Sequence, residues 1–184
     1  GKQDGRGGQG AVVASLILGR AAHLQGYHIQ VFPEFGVERR GAPVTAFCRL
    51  DHEPIRLRTR VTNPAHVVVL DASLADCVDV TAGLDPEGWI IVNSASAPPA
   101  GAFGGHPRVA WVDASGIAAA NGVGTATTPI VNTAMVGAVA RATGLVQMDS
   151  IAKAIAEMVP QGAEGNSKAA LEAHDKVGLV STHD

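Results

Sequence analysis

At 184 residues, with 46% hydrophobic side chains and a formal charge of -3, the chain has the length and composition of one globular domain with its own core. The slightly acidic balance comes without a sustained basic stripe, which argues against nucleic-acid binding. Two cysteines, Cys48 and Cys77, supply neither a disulfide framework nor the thiolates of an iron–sulfur cluster, and the longest apolar stretch, Ala11 to Leu18, falls far short of the ~20 residues of a membrane span. Seven histidines (His23, His28, His52, His66, His106, His174, His183) scatter without an i, i+4 pair, so no metal site is expected. No secretory leader is visible, and the cytoplasm is the expected compartment.

The first element opens on Gly5-Arg6-Gly7-Gly8-Gln9-Gly10, a glycine loop that runs into an apolar helix expected from Ala11 to about Leu24. Glycine lets another group approach the main chain closely, and the first N–H groups of a helix lack internal partners and favour an anion. Phosphate contact and close structural packing both fit this segment. Gly5, Gly7 and Gly10 also match the G-x-G-x-x-G spacing, with Glu34 near the place of an acidic ribose ligand. That fingerprint needs a preceding strand, and Gly1-Lys2-Gln3-Asp4 are too few and too polar to form one. The first strand is therefore expected from missing upstream residues or from another segment.

Further along, Tyr27 to Phe32 reads as a short strand ending at Pro33, and Glu34 to Pro43 as a charged loop. Thr45 to Leu50 and Ile55 to Val61 alternate as a pair of half-exposed strands, with Arg56, Arg58 and Arg60 on one face. The apolar run from Val67 to Leu70 suits a parallel strand covered on both sides. Ser73 is expected to cap a helix reaching Leu84, and Trp89 to Val92 and Val109 to Val112 read as further buried strands, separated by a Pro/Gly-rich loop over 95–107. Ile130 to Thr143, with Ala134, Gly137, Ala138 and Ala140, predicts a helix packed closely on a neighbour. Ser150 caps a helix to Met158, and Lys168 to Lys176 forms the last one. Strands and helices in this cadence predict a three-layer, Rossmann-like α/β fold with a mainly parallel sheet. Ligands of such sheets sit at the carboxyl ends of the strands, where the glycine loop, Glu34 to Gly41, Asp71 and Asn93-Ser94 are expected to share one rim.

The loop from Phe35 to Pro43 sets Glu38, Arg39 and Arg40 between glycines. Each guanidinium offers a permanently charged fork of donors, suited to phosphate or carboxylate. Docking of another subunit, or a plain exposed loop in which Glu38 neutralises an arginine, fits the same residues.

Taken together, the Gly5 to Gly10 segment and Pro33-Glu34-Phe35-Gly36-Val37-Glu38-Arg39-Arg40-Gly41-Ala42-Pro43-Val44 resemble the gamma subunit of 2-oxoacid:ferredoxin oxidoreductases, closest to the pyruvate and related acyl-CoA-forming branch. The likeness continues through Asn63 to Leu74, Pro86 to Ser94 and Asn132 to Ala138, so it spans nearly the whole chain as a single gamma-type domain. It implies membership of a hetero-oligomer that converts a 2-oxo acid and coenzyme A to acyl-CoA, carbon dioxide and reduced acceptor, this chain not being catalytic alone. Thiamine diphosphate, Mg and iron–sulfur clusters are then expected in alpha, beta (thiamine-binding) and delta (ferredoxin-like) partners. Coenzyme A is expected at or near this subunit, with Gly5, Gly7, Gly8, Gln9, Gly10, Glu38, Arg39, Arg40 and Asn132 as the binding residues. Two other classes compete: a stand-alone Rossmann-type NAD-dependent oxidoreductase, and a non-catalytic scaffold. The former lacks a visible Tyr–Lys pair, since the only tyrosine, Tyr27, has no lysine nearby.

Overall fold

The computed structural model describes residues 6–34, 44–57, 59–76 and 78–180. Gly5, Glu38, Arg39, Arg40, Arg58 and Cys77 lie outside the described residues. Helix α1 (Arg6–Leu24) leads into a hairpin of β1 (His28–Glu34) and β2 (Thr45–Asp51). Then follow β3 (His66–Val69), β4 (Trp89–Asn93), a short helical turn α2 (Ala102–Gly105), β5 (Val109–Val112), α3 (Ala114–Ala120), α4 (Asn132–Thr143), α5 (Met148–Met158), α6 (Ala163–Lys176) and β6 (Gly178–Leu179).

The central sheet runs β3-β4-β5-β6, with β3, β4 and β5 parallel and β6 antiparallel to β5. Alternate residues of β4 go to opposite faces, as a strand's period of two requires. Ile91 joins Ala110 and Val112 against Ile117, Met135, Ala138 and Ala173 of the helical layer. Ile90 and Val92 join Val69 and Val109 on the other face, under Val80, Leu84 and Phe103. Ile90 and Ile91 are fully buried, each worth about 1.5–3 kcal/mol. The mainly parallel α/β fold read from the sequence is thus present.

The second face of the sheet, however, is covered by turns. The expected helix from Ser73 to Leu84 is replaced by a single 3-10 turn, Ala72–Asp76, and further turns. Asp71, Asp79 and Asp85 each accept the N–H two residues on, from Ser73, Thr81 and Glu87. These local bonds compete with helical ones and break the segment up.

The β1–β2 hairpin stands apart from the central sheet and lays Val31, Ile29 and Cys48 on α1. A Cβ on Gly19 would come within 2.8 Å of Val31, so the close approach depends on glycine there. On the outer face Phe32 and Phe47 pack at 5.3 Å, with the Arg49 guanidinium 5.6 Å from the Phe32 ring. Arg49 donates to Gln30 Oε1 at 2.7 Å and also to the carbonyls of Leu57 and Thr59, while Arg60 pairs with Glu34 at 3.1 Å. Side chains therefore strap the segment after β2 across the hairpin. The second strand expected over Ile55 to Val61 does not form among its described residues; the carbonyls of Leu57 and Thr59 are taken by the Arg49 guanidinium instead.

Helices α3, α5 and α6 also depart from the sequence reading. Helix α3 follows β5 directly, capped by Asp113, whose Oδ1 takes the Gly116 N–H at 2.8 Å. Helix α6 starts five residues before Lys168, and α5 starts at Met148, leaving Ser150 inside its first turn.

Candidate functional site

The glycine segment is not a loop: α1 begins at Arg6, which places Gly7, Gly8, Gln9 and Gly10 in its opening turns. Glycines lower helix propensity by about 1 kcal/mol each, an effect outweighed here by packing of the apolar face through Ile17, Ala21 and Ala22. Gly10 lies against the end of β3, a Cβ on it being 3.8 Å from Leu70 Cδ1. The start of α1 thus opens at the carboxyl end of a parallel strand, where the fold type binds its ligands.

Asn93 ties that rim together. Its Nδ2 donates to the Leu70 carbonyl and to Ser115 Oγ, both at 3.0 Å, and its Oδ1 accepts the Ser115 N–H at 3.3 Å. One side chain at the end of β4 links the end of β3 to the start of α3. Asp71 and Asn93-Ser94 share the rim as expected. Glu34 does not, because it closes the separate hairpin and pairs with Arg60.

Helix α4 is directed the same way as α1. The residues just beyond the two helices meet, the Gln147 N–H donating to Gln25 Oε1 at 2.7 Å, and Val136 and Ala140 pack in one cluster with Ile17 and Ala21. The helices therefore end together and begin on the same side. With 19 residues against 12, α1 reaches about 10 Å further at ~1.5 Å per residue. Both positive helix ends face one side of the molecule.

At the start of α4, Asn132 is 7% exposed and Thr133 fully buried. Asn132 Oδ1 accepts the Thr133 N–H at 2.7 Å, Thr133 Oγ1 donates to Asn166 Oδ1 at 2.9 Å, and Asn166 Nδ2 donates to the Gly162 carbonyl at 2.8 Å. Thr133 and Asn166, which the sequence reading did not single out, hold Asn132 in place. They are 33 residues apart and no local pattern joins them.

Among the described residues no three His, Cys, Asp or Glu side chains gather where a metal ion would bind, and no helix is long and apolar enough to cross a membrane. The thiol of Cys48 is pushed up to about 12 by burial, which keeps it a neutral, inert group.

A glycine-opened helix over the carboxyl edge of a mainly parallel sheet, with a second helix co-directed beside it, defines a Rossmann-like α/β protein with an anion-favouring end. Residues 3–176 match the family described as pyruvate ferredoxin/flavodoxin oxidoreductase, and the chain belongs to that family. The pyruvate/ketoisovalerate oxidoreductases common subunit gamma of Pyrococcus furiosus is 51% identical over 176 residues, covering 94% of this chain and 93% of the relative. The pyruvate synthase subunit PorC of Methanothermobacter thermautotrophicus is 49% identical over 175 residues, covering 94% and 92%. The crystal structure of pyruvate oxidoreductase subunit PORC from Thermotoga maritima superimposes with a TM-score of 0.77 at 33% identity, covering 95% of this chain and 93% of that one. The family expected from the two glycine-flanked motifs is the family found.

Proposed function

We propose that the chain is the gamma subunit of a multi-subunit 2-oxoacid oxidoreductase, a single gamma-type domain that is not catalytic alone. The complex oxidatively decarboxylates a 2-oxo acid with coenzyme A to acyl-CoA, carbon dioxide and two reducing equivalents. One structural observation carries the role of this subunit: the amino ends of α1 and α4 open on the same side, beside the carboxyl end of β3. A phosphate-bearing co-substrate suits such an end, where unspent backbone N–H groups and two helix dipoles act together.

In this reading the N–H groups of Gly7, Gly8, Gln9 and Gly10 receive phosphate oxygens of coenzyme A, and Arg39 and Arg40, with Glu38 between glycines, add guanidinium forks. Gly5 and Asn132 complete the set. Thiamine diphosphate, Mg and iron–sulfur clusters, held by alpha, beta and delta partners, supply the decarboxylation and electron transfer. This chain binds and orients the thiol-bearing co-substrate, and the assembly works in the cytoplasm. The NAD-dependent alternative gains nothing from the geometry, since Tyr27 stacks on His52 at 4.4 Å instead of pairing with a lysine.

Co-expression with candidate thiamine-binding and ferredoxin-like subunits tests the proposal. The expected result is a stable complex whose coenzyme A-dependent release of carbon dioxide from a 2-oxo acid is lost when this chain is omitted. A chain that remains alone in that mixture and binds NAD would overturn it.

A further inference from the structure

At the amino ends of the parallel strands, on the edge of the sheet opposite Asn93, one peptide group is held from both sides by imidazoles. The Gly88 carbonyl lies 2.9 Å from His106 Nε2, and the N–H of the next residue, Trp89, donates to His66 Nδ1 at 3.1 Å. Both atoms belong to the same planar peptide unit. A carbonyl oxygen only accepts, so His106 Nε2 carries a hydrogen, whereas His66 Nδ1 accepts and carries none. The unit is closely confined: a Cβ on Gly88 would collide with the Ala65 carbonyl oxygen, and the Gly88 N–H is spent on the Asp85 carbonyl at 2.8 Å.

The two histidines answer a proton differently. A further proton on His106 goes to Nδ1 and leaves the bond to Gly88 in place. A proton on His66 must go to Nδ1, where it meets the Trp89 N–H head-on and ends that bond. Burial is the largest influence on His66 and keeps the ring neutral; Asp85, in the turn before β4, favours the imidazolium, and Arg108, just before β5, opposes it while pairing with Glu87 at 2.6 Å.

His106 also ends a turn that covers the second face of the sheet. Phe103 packs on the cluster of Val69, Ile90, Val92 and Val109 from a left-handed backbone, φ 54° and ψ 42°, which is strained for a bulky side chain. Gly104 and Gly105 continue it at φ 65° and 74° with open space where a Cβ would stand, so their backbone and not their packing calls for glycine. Among the described residues the backbone hydrogen bonds of this turn are internal, from Ala102 to Pro99, Gly105 to Gly101 and His106 to Phe103. The Phe103 ring and the His106–Gly88 bond are the ties that reach the sheet, and a cavity of about 170 Å³ bounded by Pro99, Ala102, His106, Val109 and Val180 leaves slack beneath.

We propose that residues 101–106 form a lid, and that the Gly88–Trp89 peptide gripped between His66 and His106 is its acid-operated latch. Protonation of His66 drives off the Trp89 N–H, the peptide unit turns, its carbonyl leaves His106, and the lid carries Phe103 off the sheet. Strain at Phe103 favours the release. In the open state His66 titrates near its ordinary 6.5, whereas burial holds it lower in the closed one. The closed latch is therefore fully stable above pH 6.5 and loosens as pH falls toward the depressed value. The device lies at the far edge from the rim given to coenzyme A and does not depend on that assignment.

Two probes of opening on the full chain, each corrected for its intrinsic pH dependence, provide the test. One is amide exchange at Trp89, with the buried amides of α4 as the measure of global opening. The other is thiol labelling of a Val109→Cys variant, Val109 being 3% exposed beneath the lid. Both opening constants should rise together, by up to ~10-fold per pH unit below 6.5, with Trp89 exchanging faster than α4 throughout. His66→Gln, which keeps an acceptor for Trp89 but does not titrate, should flatten both. His106→Ala should raise labelling at position 109 at every pH and remove its pH dependence. A Trp89 amide that exchanges no faster than those of α4, or whose protection ignores pH in the unaltered chain, would overturn the latch. Labelling at position 109 that stays flat while Trp89 opens would overturn its link to the lid.

Discussion

Gly137 of α4 faces Ala170 of α6 so closely that a Cβ placed on Gly137 would collide with the Ala170 carbonyl oxygen. The contact repeats one turn earlier as the Thr133–Asn166 hydrogen bond, so the two helices run parallel, four residues of one matching four of the other. The small-residue pattern in the sequence foretold a close partner, and α6 is that partner.

Gly137→Ala should therefore destabilise the chain by about 1–3 kcal/mol, because the obstacle is backbone and cannot swing aside. Thermal unfolding should show a midpoint lower by roughly 2–12 °C at this chain length. An unchanged midpoint would mean that α4 and α6 separate at little cost.

His66 introduces a pH dependence. Its Nδ1 accepts the Trp89 N–H at 3.1 Å, pinning the start of β3 to β4. Burial holds its pKa below the ordinary 6.5; Asp85 pulls it up and Arg108 pushes it down. The unfolded chain then binds the proton more readily, so stability rises with pH across the window below 6.5. The contribution is fully present above 6.5 and is lost as pH falls toward the depressed folded value. Denaturant midpoints from pH 8 to pH 5 should decline, and His66→Gln should flatten that decline. An equal slope in the variant would assign the effect elsewhere.

Cys48 should be inert in the folded chain. Raising the thiol from its ordinary 9.0 to about 12 lowers the thiolate fraction near pH 8 by ~1,000-fold. Peptide-resolved alkylation should find Cys48 unlabelled under native conditions and labelled promptly in denaturant. Rapid native labelling would show that the hairpin lifts from α1.

Arg39 and Arg40 carry the sharpest consequence of the proposed function. Changing either to Ala removes charge-assisted bonds of about 1.5–3 kcal/mol, so apparent affinity of the complex for coenzyme A should fall by roughly one to two orders of magnitude. Decarboxylation and the first electron transfer, which precede acyl transfer, should be spared. Loss of assembly together with every partial reaction would instead make the pair a subunit dock.

The sheet was legible because Val67 to Leu70, Trp89 to Val92 and Val109 to Val112 are continuous apolar runs, which only a strand covered on both faces requires. Helix α3 escaped notice because Ala114-Ser115-Gly116-Ile117 is short and interrupted by glycine, although Asp113 three residues before Gly116 is a capping signal. The missing helix before Leu84 shows the reverse. Ser73 as an N-cap suggested it, and the Asp71, Asp79 and Asp85 side chains overruled it with local bonds. At the site, the glycines were visible as composition, whereas the hold of Asn166 on Thr133 is a tertiary fact with no trace in spacing.

Nine consecutive residues of α4, from Asn132 to Ala140, are buried. Most helices keep a wet side along which they can loosen or slide, and this stretch has none. Its amides can meet solvent only when the surrounding helices and sheet come apart together, whereas the segment strapped over the hairpin by Arg49 and Arg60 can lift by breaking side-chain bonds alone. Hydrogen exchange in this chain is accordingly expected to have a slow centre and a quick margin.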